Sequence, residues 1–434
     1  MDMYILVLAG LCALCGIFGM WSKRRALKDQ LPSKTITKAR DVKLRDEMDR
    51  EPGEWRPVAF DYPKFKPWHD FDIDRTLPPL YRPFRWGPYH LKVDSVTMGL
   101  RNMSWPEWIE LDNRYQEYHT IRAERMRTRG SKAVRTMPPR DGVPGGADAA
   151  REVVHELAEY LSRRYPMMFR VERKQKREGD WGWYGDGEIR TIEILPLGEV
   201  HDLDKEDPMT VAGLLVQDDL FITLEGRDGK YYFQAGSICT GGFWRMEDKI
   251  GKALDDIHRG GNVPQYDTKL QPSLTRFFRK LQTDKPVLRN NYFIQIDRAL
   301  AWSEPTNGAE DAFDEGTHEP NRELRGDFSP PEPTVDVRTV HFRTERQSLR
   351  RMPRTGAVLF TVRTYIEPVT KLVEEPGVPG RLASAVRGFP EDIFVYKAAH
   401  LYRDALLPFL DEAHRRQVEQ GVIKEGDETS AYPY

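Results

Sequence analysis

The sequence predicts an α+β fold: an antiparallel sheet embedded in helices, preceded by one N-terminal transmembrane helix. Three observations carry this reading. Residues 214–224 and 231–238 are β-rich runs joined by Gly226-Arg227-Asp228-Gly229, a hairpin signature. Strand patterns flank an arginine-rich block at 337–342 and 357–364, while apolar residues at helical spacing recur before, between and after the strands. Residues 3–21 carry no charge at all.

That first run is long enough to span a bilayer, since ~19 helical residues rise about 28 Å. Trp21 closes it at the interface, and Lys23, Arg24 and Arg25 follow, against Asp2 before it. Positive charge stays on the cytoplasmic side, so a single-pass protein is expected with the bulk of the chain cytosolic, on the endoplasmic reticulum or another internal membrane. A cleaved signal peptide would want the positive charge first and a shorter apolar core.

Residues 26–80 are charged and dotted with prolines, and hold Trp55, Phe60, Tyr62, Phe65, Trp68 and Phe71. A stalk that becomes an extended aromatic arm packed on the body is expected there. The body is expected over 81–420, with a short tail at 421–434. Ser104-Trp105-Pro106-Glu107 reads as a capping box, opening a helix that runs to about Arg129. Val153, Leu157 and Leu161 mark a second helix from about Asp148. After the hairpin, Trp244, Met246, Ile250, Leu254 and Ile257 mark a helix that stops at His258-Arg259-Gly260-Gly261. Another helix is expected over 270–281, a strand over 292–296 and a last helical region over 391–419. Between them, 304–336 holds ten acidic residues against two arginines and reads as an acidic insertion loop.

Composition excludes several chemistries. Net charge is −2, which gives no pull toward nucleic acid. Of three cysteines, Cys12 and Cys15 lie in the apolar run and only Cys239 lies outside it, so neither a disulfide framework nor an iron–sulfur site is available. No Gly-x-Gly-x-x-Gly, phosphate-loop, His-Glu-x-x-His or Gly-x-Ser-x-Gly motif occurs. Asp72 and Asp74 form the acidic pair of a membrane-anchored glycosyltransferase, a remote alternative that would need the body in the lumen.

Three groups of candidate residues remain. Asp218 and Asp219 sit mid-strand, where acids are unfavourable unless paired or solvent-facing, and are the candidate catalytic residues; an exposed edge strand is the alternative. His258 is either a helix-end histidine bonding the last carbonyls or a metal ligand held on a rigid helix end. Residues 338–354 hold six arginines and one glutamate. These either pair with the acidic loop or clamp the carboxylates of a ligand.

Several segments together resemble one known family. They are the run from Met98 to Asp112, then Val216-Gln217-Asp218-Asp219-Leu220, then Trp244 to His258, then the long block from Glu345 to Tyr365, and last Val395-Tyr396-Lys397. In this order they resemble the α-subunit of heme-dependent oxidative N-demethylases over most of 80–415. The resemblance implies a PAS-like antiparallel sheet holding heme b. It implies oxidative demethylation of a small N-methyl amine or related small molecule, with O2 and electrons taken in and formaldehyde released. It implies His258 as the axial metal ligand, with Arg343, Arg346, Arg350 and Arg363 among the cofactor-binding residues. No flavin or iron–sulfur site is present, so a separate reductase is expected as electron donor. A non-catalytic PAS-like heme or small-ligand sensor is the alternative.

Overall fold

A computed structural model describes residues 50–79, 98–177, 179–311 and 335–424. The apolar run at 3–21 with its basic flank, most of the acidic insertion and the tail beyond 424 lie outside the described residues. Among the described residues no helix is long and apolar enough to cross a membrane.

The body is mixed helix and antiparallel sheet. Its centre is a seven-stranded sheet in the order β1-β8-β9-β10-β6-β7-β2. These strands are β1 (Arg101–Asn102), β2 (Val134–Thr136), β6 (Asp218–Glu225), β7 (Tyr231–Ser237), β8 (Val287–Gln295), β9 (His341–Arg351) and β10 (Val358–Pro368). Every pairing is antiparallel. A second, three-stranded sheet joins β3 (Phe169–Arg173), β4 (Ile189–Ile194) and β5 (Glu199–Asp202).

One face of the large sheet is closed by α1 (Tyr115–Arg129), α2 (Ala147–Arg164) and α3 (Pro208–Leu215). α2 forms because Val153, Val154, Leu157 and Leu161 fall on one side, and all four are fully buried against Leu220, Ile222 and Leu359 of the sheet. Burial of each contributes about 1.5–3 kcal/mol. The helix starts where Gly146 approaches β7 so closely that a Cβ would stand 2.3 Å from the Gln234 carbonyl oxygen. Asp207 caps α3, accepting from the Thr210 N–H at 2.8 Å, with Pro208 in the first turn.

The opposite face is covered by α4 (Leu254–Gly260) and α5 (Gln271–Lys280). A C-terminal group, α6 (Val378–Arg387), α7 (Glu391–Tyr396) and α8 (Arg403–Glu419), packs on Tyr292, Ile294 and Phe342. The aromatic arm lies along the α2 side. The Tyr62 hydroxyl donates to Glu156, its ring stacks on Trp183 at 4.1 Å, and Phe71 is buried in the main core.

Four expectations need correction. The helix opened by Ser104 is a single 3-10 turn, and α1 begins only at Tyr115. The carbonyls of Glu107 and Trp108 are taken by the Arg346 guanidinium, which leaves the turn no helical continuation. The 244–257 helix is confined to α4, because the residues before Leu254 form turns under the sheet. The arginine block is not a turn between strands: it is β9 itself, the central partner of both β8 and β10. The 391–419 helix is broken at Ala398, which sits at φ +49°.

Candidate functional site

Between the sheet and α4–α5 lies a cleft of about 340 Å³. This is within the range of small-molecule and cofactor sites, ~300–1,000 Å³. Its walls are mainly apolar and aromatic, with Phe221, Phe233, Leu349 and Phe360 from the sheet and Leu254, Ile257 and Phe277 opposite. Strand side chains alternate between faces, so alternation decides which polar residues reach it.

His258 reaches it. On α4 its Nδ1 lies 2.6 Å from the Leu254 carbonyl oxygen, one turn back, which places the proton on Nδ1 and leaves Nε2 a lone pair. Tyr266 stacks on the ring at 4.9 Å and 7°, and the Tyr266 hydroxyl is fixed on Asp255 at 2.6 Å. The chain returns to make that stack through Gly260, Gly261 and Asn262, the last at φ +49°. Burial holds the imidazole pKa below its ordinary value, which keeps it neutral. A neutral imidazole with Nδ1 tied to a carbonyl is the form that ligates a metal through Nε2.

Three cations line the same cleft. Arg289 on β8 has an Nε buried without a partner. Lys249 lies 4.4 Å from the Trp244 ring centre, and desolvation pushes its pKa down to about 8. Lys397, just past α7, donates to the Tyr292 carbonyl at 2.6 Å, and desolvation brings its pKa down to about 7. Asp248 beside Lys249 and Glu345 beside Lys397 offset that desolvation only in part, so both lysines gain from a further anion. Tyr396 at the end of α7 and Lys397 beside it line the cleft just before the break at Ala398.

Two carboxylates face it. Asp219 is fully engaged: Arg122 Nη1 donates at 2.7 Å, and the Cys239 and Thr240 backbone N–H groups at 2.7 and 3.0 Å. Glu345 is held differently. Its Oε2 accepts from Gln347 Nε2 at 2.9 Å and Asn291 Nδ2 at 3.5 Å, while Oε1 lies 3.9 Å from Arg343 Nε. Burial raises its pKa.

The remaining sequence candidates lie elsewhere. Asp218 points to the α1–α2 side, as do its cross-strand partner Arg363 and, beyond that, Arg346. Both Asp218 carboxylate oxygens are buried without partners, and burial pushes its pKa up to about 6 against the pull of Arg363 and Arg346. Arg363 is paired with Asp112 at 2.6 Å, Arg346 with Glu110 at 3.1 Å, and Arg350 with Glu156. These three arginines are therefore turned away from the cleft and paired with acids of the opposite layer. Arg343 is on the cleft side but donates to the Leu300 and Thr240 carbonyls and to the Thr364 hydroxyl. In the described part of the insertion, Glu310 pairs with Arg125 and Asp311 with Arg129 and Lys132, on α1 and just after it. Asp72 accepts from the Asp74 N–H in an exposed turn, and no group of three or more potential metal-ligating side chains occurs among the described residues.

Sequence reasoning missed Arg289, Lys249, Lys397 and Glu345 as site residues. The signal for Glu345 was present, as the one acid inside an arginine run. For Arg289 and Lys249 there was none, because nothing in a lone basic residue reports its burial.

Residues 99–407 match the model of a family described as haem-dependent oxidative N-demethylase, alpha subunit-like.

Proposed function

The chain belongs to the haem-dependent oxidative N-demethylase, alpha subunit-like family, and on that footing we propose that it is a heme-dependent oxidoreductase that demethylates a small N-methyl amine or a related small molecule. The observation that carries this reading is His258: an imidazole tied at Nδ1, open at Nε2, in a mainly apolar cleft bordered by the unpartnered Arg289 Nε. The residues fit a heme b. His258 would hold the iron, Arg289, Lys249 and Lys397 would answer its two carboxylates, and Phe221, Phe360 and Leu349 would cover the macrocycle. Bound there, heme supplies the iron at which dioxygen is activated with electrons from a donor on another chain.

The chain's own residues do the rest. Aromatic walls exclude water from the cleft. The Leu254 carbonyl keeps the imidazole oriented and in one tautomer. The overall reaction balances as N-methyl amine, O2, two electrons and two protons going to demethylated amine, formaldehyde and water. The sheet face with its helical cover would serve as the PAS-like pocket of the family. A separate reductase is the electron source. The uncharged run at 3–21, followed by Lys23 to Arg25, is the basis for placing the protein on an internal membrane with this body in the cytosol.

The same cleft would suit a non-catalytic heme sensor, and turnover separates the two. The full chain, loaded with heme and given a chemical reductant, O2 and dimethylamine or other N-methyl amines, is expected to release formaldehyde in step with O2 consumption. Heme uptake with no formaldehyde from any such amine would favour the sensor. No heme uptake would contradict both.

A further inference from the structure

The first described residues of the aromatic arm reach the helical cover of the cleft through two side-chain relays. That cover is loosely held. Of the ten residues of α5 only Phe278 is buried, while Leu274 and Phe277 border the cleft. A helix with few buried apolar contacts opens locally at low cost unless something outside it ties it down.

The first relay ties the C-terminal end of α5. Arg351 on β9 is buried, and its guanidinium donates to the Phe278 carbonyl, to the Leu281 carbonyl at 2.6 Å and to the Gly356 carbonyl at 2.7 Å. Carbonyls at a helix end lack partners within the helix, so Arg351 supplies what α5 cannot. The Trp55 ring lies 5.1 Å from that guanidinium, and its Nε1 donates to the Pro353 carbonyl at 3.0 Å. The Val58 N–H donates to the same carbonyl at 2.9 Å. The ring seats so closely on the β9–β10 turn that a Cβ on Gly356 would stand 2.3 Å from it.

The second relay ties the side of α5. Arg279 Nη1 donates to Glu225 Oε1 at 2.8 Å, and the Gly53 N–H donates to Oε2 of the same carboxylate at 3.4 Å. Gly53 turns there at φ +76°, where a Cβ would stand 2.9 Å from the Arg227 backbone nitrogen. Farther on, Tyr62 and Phe71 pack on the α2 side of the sheet, so 51–58 is the part of the arm placed to act on the cleft.

We infer that residues 51–58 form a strap that holds α5 closed over the cleft, with Trp55 and Gly53 as its points of attachment, and that freeing the strap opens the cleft. The strap acts on the cleft whatever ligand the cleft takes.

The test is hydrogen–deuterium exchange of the full chain, read on peptides covering 271–281, for wild type, Trp55→Ala and Gly53→Ala. Phe65→Ala is the control, since that ring packs on Tyr160 of α2 at 5.3 Å. Loss of a cation–π contact and a hydrogen bond is expected to speed exchange over α5 roughly ten-fold in Trp55→Ala. Gly53→Ala should speed it several-fold, with the central amides of β9 unchanged in both. Phe65→Ala should lower global stability yet leave exchange over α5 at the wild-type rate. Opening of the cleft is read in a Leu349→Cys background, because Leu349 packs under α5 with Phe278 and Leu281. Iodoacetamide labelling at that position, located by peptide mass spectrometry, should rise in Trp55→Ala in step with exchange. Wild-type exchange over α5 in both strap variants would overturn the inference. So would faster exchange with unchanged labelling, or an equal gain in Phe65→Ala. Should Trp55→Ala fail to fold, Gly53→Ala and Arg279→Gln decide: unchanged exchange over α5 in these two contradicts the strap.

Discussion

Asp218 and Asp219 are neighbours in sequence and opposites in role. That adjacent strand residues face opposite sides follows from the pleat and was legible in the sequence. What waits on each side was not, since Arg122 comes from a helix about a hundred residues earlier. Asp219→Asn should leave Arg122 buried without its counter-charge and destabilise the fold by about 3–5 kcal/mol, measured as a lower urea midpoint. Asp218→Asn should not, because no donor contacts either oxygen. The Asp218 pKa is raised from 3.8 to about 6, so the native state binds more protons than the unfolded state between those values. Its contribution therefore makes stability fall as pH rises through that window, and Asp218→Asn should flatten that fall in unfolding curves collected at pH 4 and pH 7.

Among the elements, β9 teaches most. An arginine-rich run reads as one cluster in sequence, but period two divides it. Arg346 and Arg350 enter the layer of Glu110 and Glu156, while Arg343 and Arg351 face the other side. The expectation of a joint clamp ignored that division. Arg350→Ala should leave Glu156 buried without its counter-charge, costing about 3–5 kcal/mol, yet leave ligand uptake by the folded protein unchanged. Arg289→Gln should do the reverse: near-wild-type stability with weaker uptake of a dicarboxylate ligand such as heme. Parallel melts and heme titrations distinguish the pair, and weaker uptake in Arg350→Ala alone would reverse the assignment of faces. The helices with clean apolar spacing, α2 above all, were legible. The β3–β5 sheet and α3 were not read from the sequence, since short strands with mixed polarity give weak periodicity. The break at Ala398 was also hidden, because a left-handed alanine is set by tertiary packing and has no local signal.

For the molecule as a whole, one face of the large sheet is a packed core and the other is a cleft with excess positive charge. The two lysines with pKa values of about 7 and 8 link that charge to ligand binding. At pH 8 both are partly neutral in the free chain, and a bound dicarboxylate raises their pKa values. Heme uptake at pH 8 should therefore take up protons, visible as binding enthalpy that depends on the ionisation enthalpy of the buffer. Lys397→Met should remove part of that dependence. The same lysines also act on the fold: Lys397 is depressed from 10.5, so the unfolded state binds the extra proton between about pH 7 and 10.5, and stability rises with pH across that window.

The most direct measurement is a heme titration of the full chain beside its His258→Ala variant, followed at the Soret band. One heme per chain is expected in the wild type, with uptake abolished or strongly weakened in His258→Ala and partly restored by added imidazole. An unchanged heme spectrum and affinity in His258→Ala would contradict His258 as the iron ligand.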